Sequence, residues 1–137
     1  MNLKLSQAEQ EQYMRDGFFF PVRIMDAAET ANHLRRLEEI ETKYSLMHYR
    51  HKPYLLMKST SEIALNPPLL DAVEDLLGPD ILLWDGAYVI KEPRNTKYIS
   101  WHQDLTYWGL DGEELVTAWV ALSLSTPESG CMKMLPG

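Results

Sequence analysis

LVTAWVALSLS, residues 115–125, alternates in side-chain character. Val116, Ala118, Val120, Leu122 and Leu124 fall on one side of an extended chain, and Thr117, Trp119, Ala121, Ser123 and Ser125 on the other. Successive side chains of a strand point to opposite faces, so this is the pattern of a strand with one buried face. Strand-forming runs surround it. ILLWDGAYVIK at 81–91 is rich in strand formers, and residues 98–104 fit a strand after the turn cluster Pro93-Arg94-Asn95-Thr96. Another strand starts at 131–135, after a turn at 126–130.

The N-terminal half has a different period. Ser6 with Glu9, and Asp26 with Glu29, are capping boxes that predict helices to about residue 15 and to about residue 44. Gly17 suits the end of the first helix. Leu34, Leu37, Ile40 and Tyr44 recur at three or four residues, so one face of the second packs inward. His33, Arg35, Arg36, Glu38, Glu39 and Glu41 read as its solvated face. Residues 18–22, FFFPV, read as a short buried strand. Pro67-Pro68 opens a further helix that Gly78-Pro79 closes. Residues 45–58 fit neither period, and Met47, His48, Tyr49, Arg50, His51 and Lys52 read as a loop. Helices first and short strands after them predict an α+β fold with an antiparallel sandwich or barrel.

The 137 residues suffice for one domain, expected to span 1–137. A net charge of −7 argues against a nucleic-acid backbone or an anionic membrane as main partner. No window resembles a membrane span, and the polar, helix-prone start MNLKLSQAEQEQYM does not resemble a secretory signal. Cys131 is the single cysteine, which excludes an internal disulfide and a cysteine-rich zinc site. Together these predict a cytoplasmic protein with a small-molecule partner.

The chemistry centres on His102 and Asp104. Two residues apart on a strand, they would share a face and present an imidazole beside a carboxylate. That is two-thirds of the facial triad, two histidines and a carboxylate, which holds iron(II) and leaves three positions open. With four histidines in the chain, a bare His-x-Asp match arises by chance in about one such sequence in four. By spacing alone, the pair is therefore either two metal ligands or a strand-end histidine bonded to a nearby carboxylate. A different metalloenzyme, such as a small zinc or iron hydrolase, would need His48 or His51 as a third ligand.

The longer stretch WHQDLTYW at 101–108 resembles the metal motif of the phytanoyl-CoA dioxygenase family, iron(II)- and 2-oxoglutarate-dependent oxygenases. TAWVAL at 117–122 resembles the strand that follows in that family, and GCMKMLPG at 130–137 its glycine-cysteine turn and proline-glycine corner. Gly78-Pro79-Asp80, Ile90-Lys91-Glu92-Pro93 and the helical start with Gly17-Phe18 are similar too, so the resemblance covers about residues 6–137. It implies a double-stranded β-helix, a cupin-like jelly roll, of which this chain would hold an incomplete part after its helices. It implies Fe(II) held by His102 and Asp104, with 2-oxoglutarate as co-substrate bordered by Gln103 and Trp119. Lys58 matches a lysine near the family's co-substrate, or is an exposed lysine. Trp119 lines that pocket, with Thr117 on the same face, or is core. The implied reaction is hydroxylation of an unactivated C–H bond of a small organic substrate. Halogenating relatives carry a small residue where this chain has Asp104, and a carboxylate there favours hydroxylation.

The family's distal histidine and its co-substrate arginine have no counterpart here, because no histidine follows His102 and no arginine follows Arg94. A chain stopping after three or four of eight strands would also leave sheet edges open and prone to self-association. The expectation is a truncated form of a protein about twice as long, or else a non-catalytic binding module derived from the fold. The loop at 46–54 would cap the pocket and meet an anionic substrate, or is a plain surface loop.

Overall fold

The computed structural model describes residues 4–45, 47–112 and 114–137. Both capping boxes form. In α1, Gln7–Asp16, the Ser6 side chain accepts from the Glu9 N–H while the Glu9 carboxylate accepts from the Ser6 N–H at 2.7 Å. The backbone N–H of Ser6, and then its hydroxyl, hold Glu9 below the usual carboxylate range. The helix ends at Gly17, whose N–H donates to the Tyr13 carbonyl. α2, Ala27–Tyr44, opens in the same reciprocal way at Asp26 and Glu29, with bonds of 2.8 and 2.9 Å.

The stretch that fitted neither period, 45–58, holds a 3-10 turn, Pro53–Leu55, and ends where α3, Lys58–Ala64, begins. α3 has no side-chain cap and only seven residues, too few to be stable alone. Packing on α2 supports it. Ser59 and Ile63 are buried. His33 Nδ1 lies 2.7 Å from the Ser59 hydroxyl, and Arg36 donates to Glu62 at 2.5 Å. His33 and Arg36 thus do not belong to the solvated face expected of them. They lie three or four residues from Leu37 and Ile40, on the flank of α2 that faces α3. α4, Pro67–Leu77, is capped by the Asn66 side chain and closed by the Gly78 N–H donating to the Glu74 carbonyl at 2.7 Å. The φ of +83° at Gly78 is one that residues with a Cβ avoid. Asp75 of α4 accepts the Leu5 N–H at 2.6 Å and ties the N-terminal segment to the helices. The buried apolar residues, Leu5, Leu37, Met57, Ile63 and Ala72, all lie in or beside these helices.

The expected strands at 18–22, 81–91, 98–104, 115–125 and 131–135 are not formed among the described residues, and neither is the double-stranded β-helix. One isolated parallel bridge joins His48 to Tyr88. Residues 105–108 make a single helical turn, α5, Leu105–Trp108. Alternation defines two faces, but a strand exists only when another segment takes up its N–H and C=O groups. The burial follows suit. Val116, Val120 and Leu122 are half-buried, whereas Leu124 is 82% exposed, and Phe20 of the expected buried strand is 70% exposed. No helix among the described residues is long and apolar enough to cross a membrane.

The loop at 47–52 is not free, although its expected first residue, Leu46, lies outside the described residues. It lies along 85–90. The N–H groups of Tyr49 and Lys52 donate to the carbonyls of Tyr88 and Gly86 at 3.0 and 2.9 Å, and the Ile90 N–H donates to His48 Nδ1 at 2.9 Å. Asp85 is the anchor. Its carboxylate lies 2.5 Å from His51 Nδ1 and accepts the N–H groups of Gly86 at 2.7 Å and Lys52 at 3.2 Å. Lys52 Nζ lies 5.2 Å from the centre of the Trp84 ring, a cation–π distance. Partial burial pushes the Asp85 carboxyl up, but the bonds from His51 and the Gly86 N–H outweigh it and hold it below the usual range. A carboxyl depressed in the folded state stabilises at neutral pH, and that contribution is lost as pH falls through its folded value. Acidification below about pH 4 is therefore expected to lower hydrogen-exchange protection at the Lys52 and Gly86 amides. Asp85→Asn should remove this acid step. Protection factors unchanged between pH 7 and 3 would show that Asp85 does not hold the loop.

Candidate metal centre

His102 and Asp104 meet, though not on a strand. Residues 101–104 lead into α5, and Asp104 stands at its N-terminus with helical backbone angles. This bend, rather than the two-residue repeat of a strand, brings the side chains together. His102 Nε2 lies 3.1 Å from Asp104 Oδ1, and both side chains are about one-third exposed, 35% and 34%.

The hydrogen bonds around the pair determine what each atom can do. His102 Nδ1 lies 2.8 Å from the Ser100 carbonyl oxygen. A carbonyl only accepts, so Nδ1 carries the hydrogen. In the neutral ring Nε2 then has its lone pair directed towards Asp104. The arrangement is the usual one of a metal-binding histidine, whose second nitrogen donates to a backbone carbonyl or carboxylate. Thr117 donates its hydroxyl to Asp104 Oδ2 at 2.6 Å, which leaves Oδ1 facing His102. Two electron-pair donors at 3.1 Å repel unless a cation, a proton or a metal ion, lies between them. Bonds of about 2.1 Å at right angles around a metal put two donors about 3.0 Å apart, close to the spacing seen. The pair therefore fits two adjacent positions of an iron(II) site. Among the described residues no group of three His, Cys, Asp or Glu forms, so the third ligand is not found here. His48 and His51 do not supply it: one accepts from Ile90, and the other pairs with Asp85.

The remaining expected site residues lie variously. Thr117 joins the pair through Asp104. Gln103 is exposed between His102 and Asp104, and Trp119 is 44% exposed. Lys58 opens α3 with its side chain 83% exposed and pairs with Glu62 one turn on, at 3.6 Å, rather than with His102 or Asp104. Two neighbours were not foreseen from the sequence, and a third belongs to the loop that was read as capping the pocket or as plain surface. The Ser100 carbonyl fixes the histidine. The Tyr107 ring lies edge-on to it at 6.0 Å. The Tyr49 phenol is pushed up by partial burial and then by the charge of the Asp104 carboxylate. Tyr49 lies 55 residues from Asp104 in the chain, so spacing alone gave no link between the two. Beside Tyr49 opens a cavity of about 860 Å³, whose lining includes Ile40, Tyr44, Met47, Tyr49, Arg50 and Met57.

Comparison with known proteins adds the following. A family model described as "Phytanoyl-CoA dioxygenase (PhyH)" matches residues 13–137. Among solved structures, "CytC3 with Fe(II) and alpha-ketoglutarate" is similar, with a TM-score of 0.54 and 23% identity over 62% of this chain and 36% of that one. A second structure, "CytC3", gives the same TM-score and identity over 62% and 35%. At this identity the likeness is one of fold, and the chain spans about a third of the length of those proteins. A comparison with curated proteins gives no match.

Proposed function

Since the chain belongs to the phytanoyl-CoA dioxygenase family, we propose that it supplies the proximal metal ligands of an iron(II)- and 2-oxoglutarate-dependent oxygenase. The reaction is hydroxylation of an unactivated C–H bond of a small organic substrate. The observation that carries this reading is the convergence of His102 Nε2 and Asp104 Oδ1, with the histidine tautomer held by Ser100. Family membership and the iron and 2-oxoglutarate in a structure of similar fold support it.

His102 and Asp104 would hold the metal, and a further ligand must come from residues other than those described. Bound iron(II) with 2-oxoglutarate would supply the oxidising power, turning dioxygen, 2-oxoglutarate and a C–H bond into an alcohol, succinate and carbon dioxide. The chain's own residues bind and orient. Asp104 occupies a position that a smaller residue would leave open to another anion, which favours hydroxylation. Gln103 and Trp119 border the co-substrate. Lys58, whose ion pair is with an exposed Glu62, can leave that weak partner to meet a co-substrate carboxylate. The cavity beside Tyr49, with its mostly apolar lining, is the candidate place for the substrate. The extended segments at 81–91, 98–104, 115–125 and 131–135 contribute to the family's jelly roll.

Anaerobic titration with iron(II), then 2-oxoglutarate, tests the reading. A visible absorption band that needs both and vanishes with a chelator is expected. Iron(II) bound without any response to 2-oxoglutarate would sink the co-substrate half of the proposal.

A further inference from the structure

The geometry points to Thr117 as the residue that positions Asp104, holding Oδ2 so that the carboxylate offers the metal one oxygen and not two. This rests on His102 and Asp104 being metal ligands. The Thr117 hydroxyl donates to Oδ2 at 2.6 Å, at the short end of the range for such bonds. The other oxygen, Oδ1, is the one 3.1 Å from His102 Nε2. The two oxygens therefore have separate partners, and the carboxylate plane is fixed from both ends.

The consequence concerns the count of open positions. An octahedral ion held by two nitrogens and one carboxylate oxygen keeps three places for co-substrate and dioxygen. A carboxylate that chelates with both oxygens takes a fourth place. Thr117 prevents this by occupying Oδ2. The residue lies 13 positions along the chain from Asp104, in the run whose alternation puts it on the face of Trp119. Its role differs from direct contact with 2-oxoglutarate, which the resemblance had suggested for this face. Partners of this kind alter metal affinity by about 10- to 100-fold when removed.

The test uses Thr117→Val and Thr117→Ser, with Co2+ alone as the probe, followed by its visible spectrum, and with three-bond couplings that report the Asp104 χ1 angle. Valine keeps the shape and removes the donor, and serine keeps the donor. Wild type and Thr117→Ser should show one Asp104 rotamer, Co2+ affinities within about threefold of each other, and equal melting temperatures. Thr117→Val should average the rotamer and weaken Co2+ by about 10- to 100-fold at the same melting temperature. A single, unchanged Asp104 rotamer in Thr117→Val would overturn the proposal. So would unchanged Co2+ affinity in that variant while Asp104→Asn loses it. Indifference of Co2+ binding to Asp104→Asn would instead defeat the ligand reading itself, and the coupling measurement would then decide Thr117 by itself.

Discussion

Replacing His102 by alanine is expected to weaken iron(II) binding at least about 100-fold and to abolish the absorption band that needs 2-oxoglutarate. Among the described residues its Nε2 is the nitrogen that faces Asp104 Oδ1, and the Ser100 carbonyl 2.8 Å from Nδ1 fixes the ring's orientation. Without it Asp104 is the one candidate ligand left among the described residues, and one exposed carboxylate holds a divalent ion weakly in water. His48→Ala and His51→Ala serve as contrasts. Each of those rings is engaged elsewhere, with Ile90 and with Asp85, so both variants should bind iron(II) within a few-fold of wild type. Loss of metal in His51→Ala, with none in His102→Ala, would favour a different metalloenzyme and overturn the assignment. Isothermal titration under argon separates the outcomes.

Leu37→Ala should lower the free energy of unfolding by about 2–5 kcal/mol, read from the urea midpoint. Leu37 is 5% exposed and the most deeply buried of the apolar residues in the helical core. It lies on the flank of α2 that carries His33 and Arg36 to Ser59 and Glu62 of α3. The cavity left there removes contacts from the helix pair that supports the 53–65 segment. Arg35→Ala is the control on the same helix. Its ion pair with Glu39 is exposed on both sides, so its loss should cost less than about 0.5 kcal/mol. Equal effects of the two variants would show that α2 is not held by its buried face.

Local rules carried far in the helical half. Ser6, Asp26 and Gly78 act through bonds to residues three or four away, so the starts of α1 and α2 and the end of α4 were legible without knowledge of the rest. α3 was not legible, because seven residues without a cap owe their helicity to α2. His33 and Arg36 were misjudged for the same reason: a charged residue on a helix reads as solvated until a neighbour of opposite character is placed beside it.

For the site, the sequence by itself determined the chemistry of His102 and Asp104: an imidazole and a carboxylate two residues apart, in a motif that places the chain in its family. Only the tertiary structure decided how they meet. A bend into α5 does it instead of a strand, Thr117 takes Oδ2, and the loop anchored by Asp85 brings Tyr49 under the charge of Asp104. The alternation of 115–125 likewise determined which side chains share a face, and could not determine pairing. The physical reason is the same in each case. Periodicity and capping depend on residues within one turn or one pleat, whereas hydrogen bonds between distant segments depend on where the whole chain brings its backbone.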